Sequence, residues 1–407
     1  MSVLVLPSLL IAGCFEDTDT PINVGEETGA TSGAEISGIE AGAAGAGMDL
    51  TAGELGGVVA GVEGGDIVIT PPRELSIATY NVQNLFDFVD NPERDEGEFT
   101  PNIGDWSMRT YSEKVSAIAE VIKLIDADIV VLQEVEEGPS DSDNVLVALT
   151  QEIRAQGGRD YTHIAQSPTR DFRGITLGIL SIYPISREIG RPIDEVISCQ
   201  SGDLLDGSSP EARPIYEINL WSDGSGGGNG GGAQSLTLLA HHWRSRREFE
   251  TDACPSSDRH ERGARQLKSL LTEWLDPDPQ RAIMVLGDFN TTEDDTALSE
   301  SLDAHLSVDG LLKPSSLYNL WGELGVNTTT VNNVTNSSYR YGGEWFRLDH
   351  MMISRSMTQR GGWSLVSFEL INDSQLLSDG APNSWSNRTQ EGYSDHLPLK
   401  VLLRKDD

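Results

Sequence analysis

A chain of 407 residues with 38% hydrophobic side chains carries enough apolar material for a large core, which excludes wholesale disorder. Sixty-four acidic against 29 basic residues give a formal net charge of -35, which argues for high solubility and against tight, sequence-independent attraction to polyphosphate backbones. Three cysteines exclude a disulfide-dense scaffold and a multi-cysteine zinc module. Beyond the first 13 residues no run is apolar enough to span a bilayer, which takes about 20 residues.

In chain order, Val3 to Ala12 come first, nearly all apolar and leading into Leu10-Ile11-Ala12-Gly13-Cys14. A short apolar stretch ending in small residues is the pattern of a secretory signal. The small-small-Cys ending resembles the bacterial lipoprotein box, which implies cleavage before Cys14 and lipid on its thiol. It departs from that pattern in having no Lys or Arg ahead of the apolar run, and an ordinary cleaved signal is the alternative reading. From Phe15 to Pro72 Gly, Ala, Thr and Ser dominate, with eleven acidic residues and no Lys or Arg until Arg73. Such a stretch buries little apolar surface and self-repels, so residues 15–73 are expected to form a disordered spacer. The remaining 53 acidic and 29 basic residues, which include Arg73, Asp406 and Asp407 beside the folded part 74–405, sum to about -24.

Within that part Leu75 to Asn81 alternates as a strand does. Val115, Ile118, Ala119 and Ile122 recur at helical spacing over Ser112 to Leu124. Ile129 to Leu132 is a fully apolar run of the kind buried on both faces. Ile175 to Ser181 reads as a strand. Ile215 to Leu220 and Ser235 to Ala240 read as two strands around a flexible Gly-rich tip, Gly224 to Gly232. Ala264, Leu267, Leu271 and Trp274 make a second helical stripe, stopped by Pro277 and Pro279. Ile283 to Leu286, Leu348 to Ser354 and Leu397 to Leu403 complete the strands. Helices alternate with strands and no linker intervenes, so the pattern predicts a single α/β domain.

The strand ends are what mark the sequence. They carry Asn81, Gln133-Glu134, His241-His242 and Gly287-Asp288-Phe289-Asn290, while Ser394-Asp395-His396 precedes the last strand. Polar, titratable groups at strand ends of a layered α/β protein point into one crevice. Singly each has a bland reading: Gln-Glu as a solvated strand end, Gly-Asp-Phe-Asn as an Asx turn. Five together do not.

Asn81, Leu132-Gln133-Glu134, Leu286-Gly287-Asp288-Phe289-Asn290, Leu348-Asp349-His350 and Ser394-Asp395-His396-Leu397-Pro398 follow the order of the endonuclease/exonuclease/phosphatase superfamily. The sequence resembles that group, which includes deoxyribonuclease I, abasic-site nucleases, sphingomyelinases and inositol-polyphosphate phosphatases, from Leu75 to about Leu403. Asn81-Val82-Gln83-Asn84-Leu85-Phe86 and His242-Trp243-Arg244-Ser245-Arg246 resemble its secreted bacterial branch. The resemblance implies a four-layer α/β/β/α sandwich, two packed mixed sheets flanked by helices. Gln83 departs where several abasic-site nucleases have a carboxylate, and the His-x-Gln pattern of sphingomyelinases is absent.

Phosphodiester cleavage needs a cation against the phosphate, an oriented water and help for the leaving oxygen. The donors here are oxygen-rich and thiolate-free, which suits Mg²⁺ or Mn²⁺ (or Ca²⁺) over Zn²⁺. The resemblance makes Glu134 the metal ligand, supported directly or through water by Asn81 and Asp395. Asp288 is expected to orient or deprotonate the attacking water, and Asn290 to bind a phosphate oxygen. His396 is expected to touch the scissile phosphate, with Asp349 accepting its other ring N–H; an ion pair of Asp349 with Arg347 is the alternative. His242 belongs near the leaving oxygen, with His241 a less certain neighbour.

Arg173 reads as a phosphate contact or as a surface-loop arginine. Arg244, with Arg246 and Arg247, reads as a local anion patch or a solvated charge run. The aromatics between Ser338 and Trp345 offer stacking faces or pack a hairpin. Cys199 and Cys254 are expected to pair in an oxidising compartment. The expected function is a Mg²⁺-dependent extracytoplasmic phosphodiesterase, foremost a nuclease of low sequence preference, lipid-anchored in a bacterial envelope or extracellular, and monomeric. The alternatives are a phosphomonoesterase or phospholipase acting on lipid headgroups, or a non-catalytic binding module.

Overall fold

The computed structural model describes residues 70–138, 144–168, 170–171, 173–191, 215–221, 235–246, 256–325 and 336–406. The signal, the spacer up to residue 69, Cys14, Cys199, Cys254, Arg247 and the Gly-rich tip lie outside the described residues.

Strands β1 (Glu74–Leu85), β2 (Ile129–Glu136), β3 (His163–Gln166) and β4 (Ile175–Ser181) occupy the first half of the chain. They are followed by β5 (Arg187–Arg191), β6 (Ile215–Leu220), β7 (Leu236–His242) and β8 (Ile283–Asp288). Next come β9 (Ala304–His305), β10 (Leu317–Asn319) and a hairpin of β11 (Tyr339–Tyr341) and β12 (Glu344–Phe346). Then β13 (Asp349–Ser354), β14 (Trp363–Leu370), the short pair β15 (Leu377–Ser378) and β16 (Ala381–Pro382), and β17 (Leu399–Lys405) complete the set. The large sheets are mixed: six strands in the order β14-β17-β1-β2-β4-β3, and seven in the order β5-β6-β7-β8-β13-β10-β9.

The two sheets pack face to face because every second residue of their inner strands is large and apolar. Leu75, Ile77, Ile129 and Val131 from one sheet meet Leu238, Ala240, Met284, Leu286, Met351 and Ile353 from the other in one core. The alternate residues of the first sheet, including Ala78, Tyr80, Val130 and Leu132, pack against helices α1 (Met108–Ile125) and α2 (Val145–Ala155). Leu239, Ile283, Val285 and Met352 of the second sheet pack against α3 (Ser256–Leu275). The result is the expected α/β/β/α layering. A fully buried Leu or Ile contributes about 1.5–3 kcal/mol, so a one-residue slip of an inner strand would exchange its whole set of core contacts.

Local chemistry explains where the elements depart from the sequence pattern. Helix α1 starts four residues before Ser112, because Ser107 accepts a hydrogen bond from Thr110 N–H and caps it there. It ends at Asp126, which takes a left-handed conformation with φ 46°. Helix α2 has no counterpart in the sequence reading. It buries Val145, Leu146, Leu149 and Ile153 and is capped by Asn144, whose side chain accepts from Leu146 N–H. Strands β2, β7 and β8 each run on into the polar residues that follow their apolar runs. No helix among the described residues is long and apolar enough to cross a membrane.

Candidate active site

The pocket is a continuation of the inter-sheet core by other means. Counting by twos from the core residues of β1, β7, β8 and β13 leads to Asn81, His242, Asp288 and Asp349 at one end of the sandwich. Strand register sets three of them side by side: His242 pairs with Asp288 across the parallel β7–β8 ladder, and Asp349 with Asp288 across the antiparallel β8–β13 ladder. His241 and His350 fall on the opposite, helix-facing side of the sheet. Both are fully buried there, around Phe289.

Glu134 reaches the pocket by breaking this alternation. The ladder of β2 shifts register between Gln133 and Val135, and Glu134 itself has φ 63°. Such a bulge adds a residue and re-aims a side chain. Gln133 stays in the sheet interior, where its amide donates to Thr79 Oγ1 at 3.0 Å. Glu134 turns to the mouth, with its side chain 20% exposed. Strand β1 is irregular at the same level: Gln83 and Asn84 have φ 51° and 58°, and Asn84 N–H donates to Glu134 Oε2 at 2.9 Å. Gly287 is required by the packing of β7 on β8. Its φ is +136°, and a Cβ there would lie 1.9 Å from the His241 carbonyl oxygen.

Asp288 is the hub. Its Oδ1 accepts from Asn290 N–H at 2.8 Å, and its Oδ2 accepts from the amides of Asn81 at 3.0 Å and Asn290 at 3.1 Å. The Asn81 amide also donates to Glu134 Oε1 at 3.2 Å, so one side chain ties the two carboxylates of opposite sheets. His242 Nε2 stands 3.7 Å from Glu134 Oε1 and 3.6 Å from Asp288 Oδ2, nearly enclosed. Opposite, His396 Nδ1–H donates to Asp349 Oδ2 at 2.7 Å. Ser394 explains its place before Asp395-His396: its hydroxyl donates to the Asn81 carbonyl at 2.7 Å and accepts from His396 N–H at 3.1 Å. The ring of Tyr339 lies tilted over that of His396, with centroids 4.7 Å apart.

The charges are held away from their ordinary states. Burial pushes Asp288 up to about 7; Asp349 and Glu134 add to this, while His396 and the Asn290 N–H oppose it. Burial works against a charged His396, but Asp349, through its charge and hydrogen bond, and then Asp395 and Asp288 outweigh it and raise the imidazole well above its usual value. Asp395 is raised by burial and by Glu134, against His396 and Lys114. Lys114 is buried within the apolar stripe of α1, where it donates to the Tyr393 carbonyl at 2.9 Å. Burial lowers it to about 7, against the pull of Asp395 and Glu134.

Asn81, Glu134, His242, Asp288, Asn290, Asp349, Asp395 and His396, expected together from the sequence, thus surround one pocket. Their hydrogen bonds within the site are specific. Asn81 accepts with its side-chain Oδ1 from Gln83 N–H at 3.0 Å, so its amide meets the two carboxylates as a donor. Asn290 donates its amide to Asp288 and to the Trp243 carbonyl at 2.8 Å, which orients the carboxylate. Arg347 pairs with Glu293 at 2.8 Å, leaving Asp349 to His396.

Arg173 grips Asp171 at 3.1 Å and donates to Asn84 Oδ1 at 3.1 Å, a brace behind Glu134. Arg244 is half-buried and its carbonyl accepts from His260 Nε2–H at 2.7 Å. Arg246 is bound to Asp295 and Thr291, which takes it out of the expected basic cluster. Sequence reasoning missed Lys114, whose only signal is a cation in register with Ile118 on an apolar stripe, and it quoted Asn84 and Ser394 within motifs without giving them a role.

The donor set fits a hard divalent cation. Asp288, Asp349 and His396 each bring a ligand atom within 4.8 Å of the others, and Asp349 Oδ1 is buried without a hydrogen-bond partner. Carboxylate oxygens predominate and no thiolate takes part, as Mg²⁺ or Mn²⁺ prefers.

A two-sheet α/β sandwich with carboxylates, amides and paired imidazole at one end defines a class, and comparison with known proteins names it. Residues 76–405 match the Endonuclease/Exonuclease/phosphatase family, and the chain belongs to it. No curated protein matches the sequence. Similar solved structures include an endonuclease/exonuclease/phosphatase from Beutenbergia cavernae DSM 12333, at 15% identity and TM-score 0.47, covering 82% of this chain and 72% of that one. A D. rerio TDP2 humanized by 14 mutations has 15% identity and TM-score 0.45, with 82% and 100% covered. An endonuclease/exonuclease/phosphatase from Bacteroides vulgatus has 14% identity and TM-score 0.45, with 82% and 99% covered.

Proposed function

We propose that this protein hydrolyses phosphodiester bonds with a divalent metal ion, and that its substrate is nucleic acid cut with little sequence preference. The observation that carries the reading is Asp288, a buried carboxylate raised to about 7, held by Asn81 and Asn290 within one pocket with Glu134 and the His396–Asp349 pair. Glu134, with Asp395 in electrostatic reach, would hold the ion. When bound, Mg²⁺ or Mn²⁺ supplies charge against the phosphate and the developing oxyanion.

The chain's own groups supply the rest. Asp288, near neutrality in its proton affinity, accepts the proton of the attacking water, while Asn81 and Asn290 fix its oxygens. His396, held charged by Asp349, presents Nε2–H to a non-bridging phosphate oxygen. His242 stands beside Glu134 and Asp288, where it can donate to the leaving oxygen. Tyr339, stacked beside His396, gives a flat apolar wall to the pocket. A location outside the cytoplasm, through lipid on Cys14, and a Cys199–Cys254 bridge rest on the sequence alone and remain parts of the proposal, as does a monomeric state.

A substrate panel tests it: supercoiled plasmid, linear DNA, RNA and headgroup phosphoesters, each with Mg²⁺, Mn²⁺ or Ca²⁺. Plasmid or RNA cleavage by the wild type, lowered by on the order of 3 kcal/mol in barrier terms in both Glu134→Ala and His396→Ala, is expected. Headgroup phosphoester cleavage alone would favour the lipid-directed alternative, and no cleavage of any substrate would end the enzymatic reading.

A further inference from the structure

Lys114 is completely buried on α1, in register with Ile118 on the face that packs against the first sheet. An ammonium group in apolar surroundings is costly unless it is hydrogen-bonded and its charge is met. What meets it belongs to one segment. Its Nζ donates to the Tyr393 carbonyl at 2.9 Å and stands 5.1 Å from the centre of the Trp385 ring. Residues 383–393 form a loop that leads directly into Ser394-Asp395-His396.

The loop is folded on itself. Tyr393 N–H donates to the Asn383 carbonyl at 2.6 Å across its base, and Ser386 N–H to the Glu391 carbonyl at 3.0 Å nearer its tip. Gly392 has φ +96°, and a Cβ there would lie 2.1 Å from the Ser384 carbonyl oxygen, so the two limbs touch backbone to backbone. The anchors come from two other elements. One turn before Lys114 on α1, Thr110 Oγ1 accepts from the Gln390 amide at 3.2 Å. On β1, Gln83 Oε1 accepts from Trp385 N–H at 2.8 Å and from the Ser384 hydroxyl at 3.0 Å, and its Nε2–H donates to the Trp385 carbonyl at 3.4 Å. A carboxylate at position 83 could accept the first two bonds but not donate the third, which accounts for an amide at that position.

We propose that Lys114 and Gln83 are positioning residues that clamp residues 383–393 from two sides and so fix Asp395 and His396 in the pocket. Each acts through the loop. The hold on Trp385 and on the Tyr393 carbonyl is passed on by Ser394, whose hydroxyl bridges the Asn81 carbonyl and His396 N–H. At position 114 a Met would fill the same space on the apolar stripe, but it would leave the Tyr393 carbonyl without its donor and the loop free to shift. A displacement of about 1 Å at a reacting group can cost on the order of 10²-fold in rate. The role presupposes the hydrolysis proposed above.

Full-length wild type, Lys114→Met and Gln83→Ala are compared by steady-state cleavage of linear DNA with Mg²⁺, by thermal unfolding, and by proton NMR of the His396 Nδ1–H that Asp349 holds. Both variants are expected to stay folded at the assay temperature, since a buried charge exchanged for an apolar side chain of similar volume is often neutral for stability. In Lys114→Met kcat should fall about tenfold with KM changed less than about twofold, and in Gln83→Ala it should fall by less. The His396 signal should broaden in both. A lower unfolding midpoint with either the kcat of the folded fraction or the His396 signal unmoved would mark a merely structural role and overturn the clamp. A change confined to KM would make the loop a substrate contact and overturn it as well. Should Lys114→Met fail to fold, Gln83→Ala, at a half-buried position, decides by the same two readouts. Should the wild type cleave no substrate, the hydrolytic reading falls, while the His396 signal in the variants still decides whether the loop is clamped.

Discussion

At position 287 a hydrogen in place of a methyl group decides whether β7 and β8 can lie side by side. Gly287→Ala brings a Cβ to within 1.9 Å of the His241 carbonyl at φ +136°. Urea unfolding should show a loss on the order of 3 kcal/mol, or no folded protein. Asp349 tests the electrostatics of the pocket. It raises His396 and it also raises Asp288, so Asp349→Asn should lower both. The charge on His396 is stabilised below the ordinary imidazole range and up to the raised folded value, and is lost as pH climbs through it; in the variant that loss comes earlier. Asp288 gains its basic form on climbing through about 7, and in the variant that gain also comes earlier. Both limbs of the pH–rate profile should therefore move to lower pH, with a matching fall in the His396 titration followed by nitrogen NMR. A profile that merely drops in height, with its limbs unmoved, would contradict the assigned couplings.

Helix α3 and the outer face of the second sheet enclose histidines that are kept neutral. Burial lowers His241 to about 3 and His260 to about 4, the latter despite its hydrogen bond to the Arg244 carbonyl and with Arg246 adding to the fall. Their folded values lie below those of the unfolded chain. The unfolded state therefore takes up protons first, and stability is lost as pH falls from about 6.5 toward about 4. For His260 alone this amounts to on the order of 3 kcal/mol across that window. Thermal unfolding of His260→Gln should show a flatter dependence on pH between 6.5 and 4 than the wild type. A wild-type midpoint that does not fall over that range would refute the neutral-histidine account. The bulge in β2 works at the same scale, since re-aiming one residue converts a strand ending in Gln133-Glu134 into an interior amide and a pocket carboxylate.

Over the whole molecule, an excess of negative charge must be reconciled with the anionic substrate proposed above. The formal charge is -35, and Arg246 and Arg347 are engaged by Asp295 and Glu293. If the proposed polyphosphate substrate is bound, its capture rests on few cation–phosphate contacts. The logarithm of the cleavage rate should fall with the logarithm of salt with a slope matching roughly one or two phosphates, well short of the six to ten of an extended basic interface. A slope of the steeper kind, measured on linear DNA in rising KCl at fixed Mg²⁺, would show a basic track that this account lacks.

Strands and helices with an unbroken apolar period were legible along the chain, as were the residues at the strand ends, because both depend on spacing within one segment. Asn81, Glu134, Asp288 and His396 could be singled out for that reason. Helix α2 was not legible, since four buried apolar residues in a short, polar-flanked segment form no long stripe. Nor was the facing of His241 against His242, because strands buried on both sides show no alternation until a second sheet and a helix claim one face each. The partners of polar side chains were hidden for a related reason: hydrogen bonds between residues as distant as Asn81 and Asp288 exist only once the sheets have packed. Composition and periodicity therefore determined by themselves that this chain makes an acidic α/β domain with polar residues at its strand ends, and the resemblance of the motifs at those ends pointed to the family. Tertiary packing decided which of them face one another, which hold protons and which orient a neighbour, because those properties depend on burial and on distances that no single segment contains.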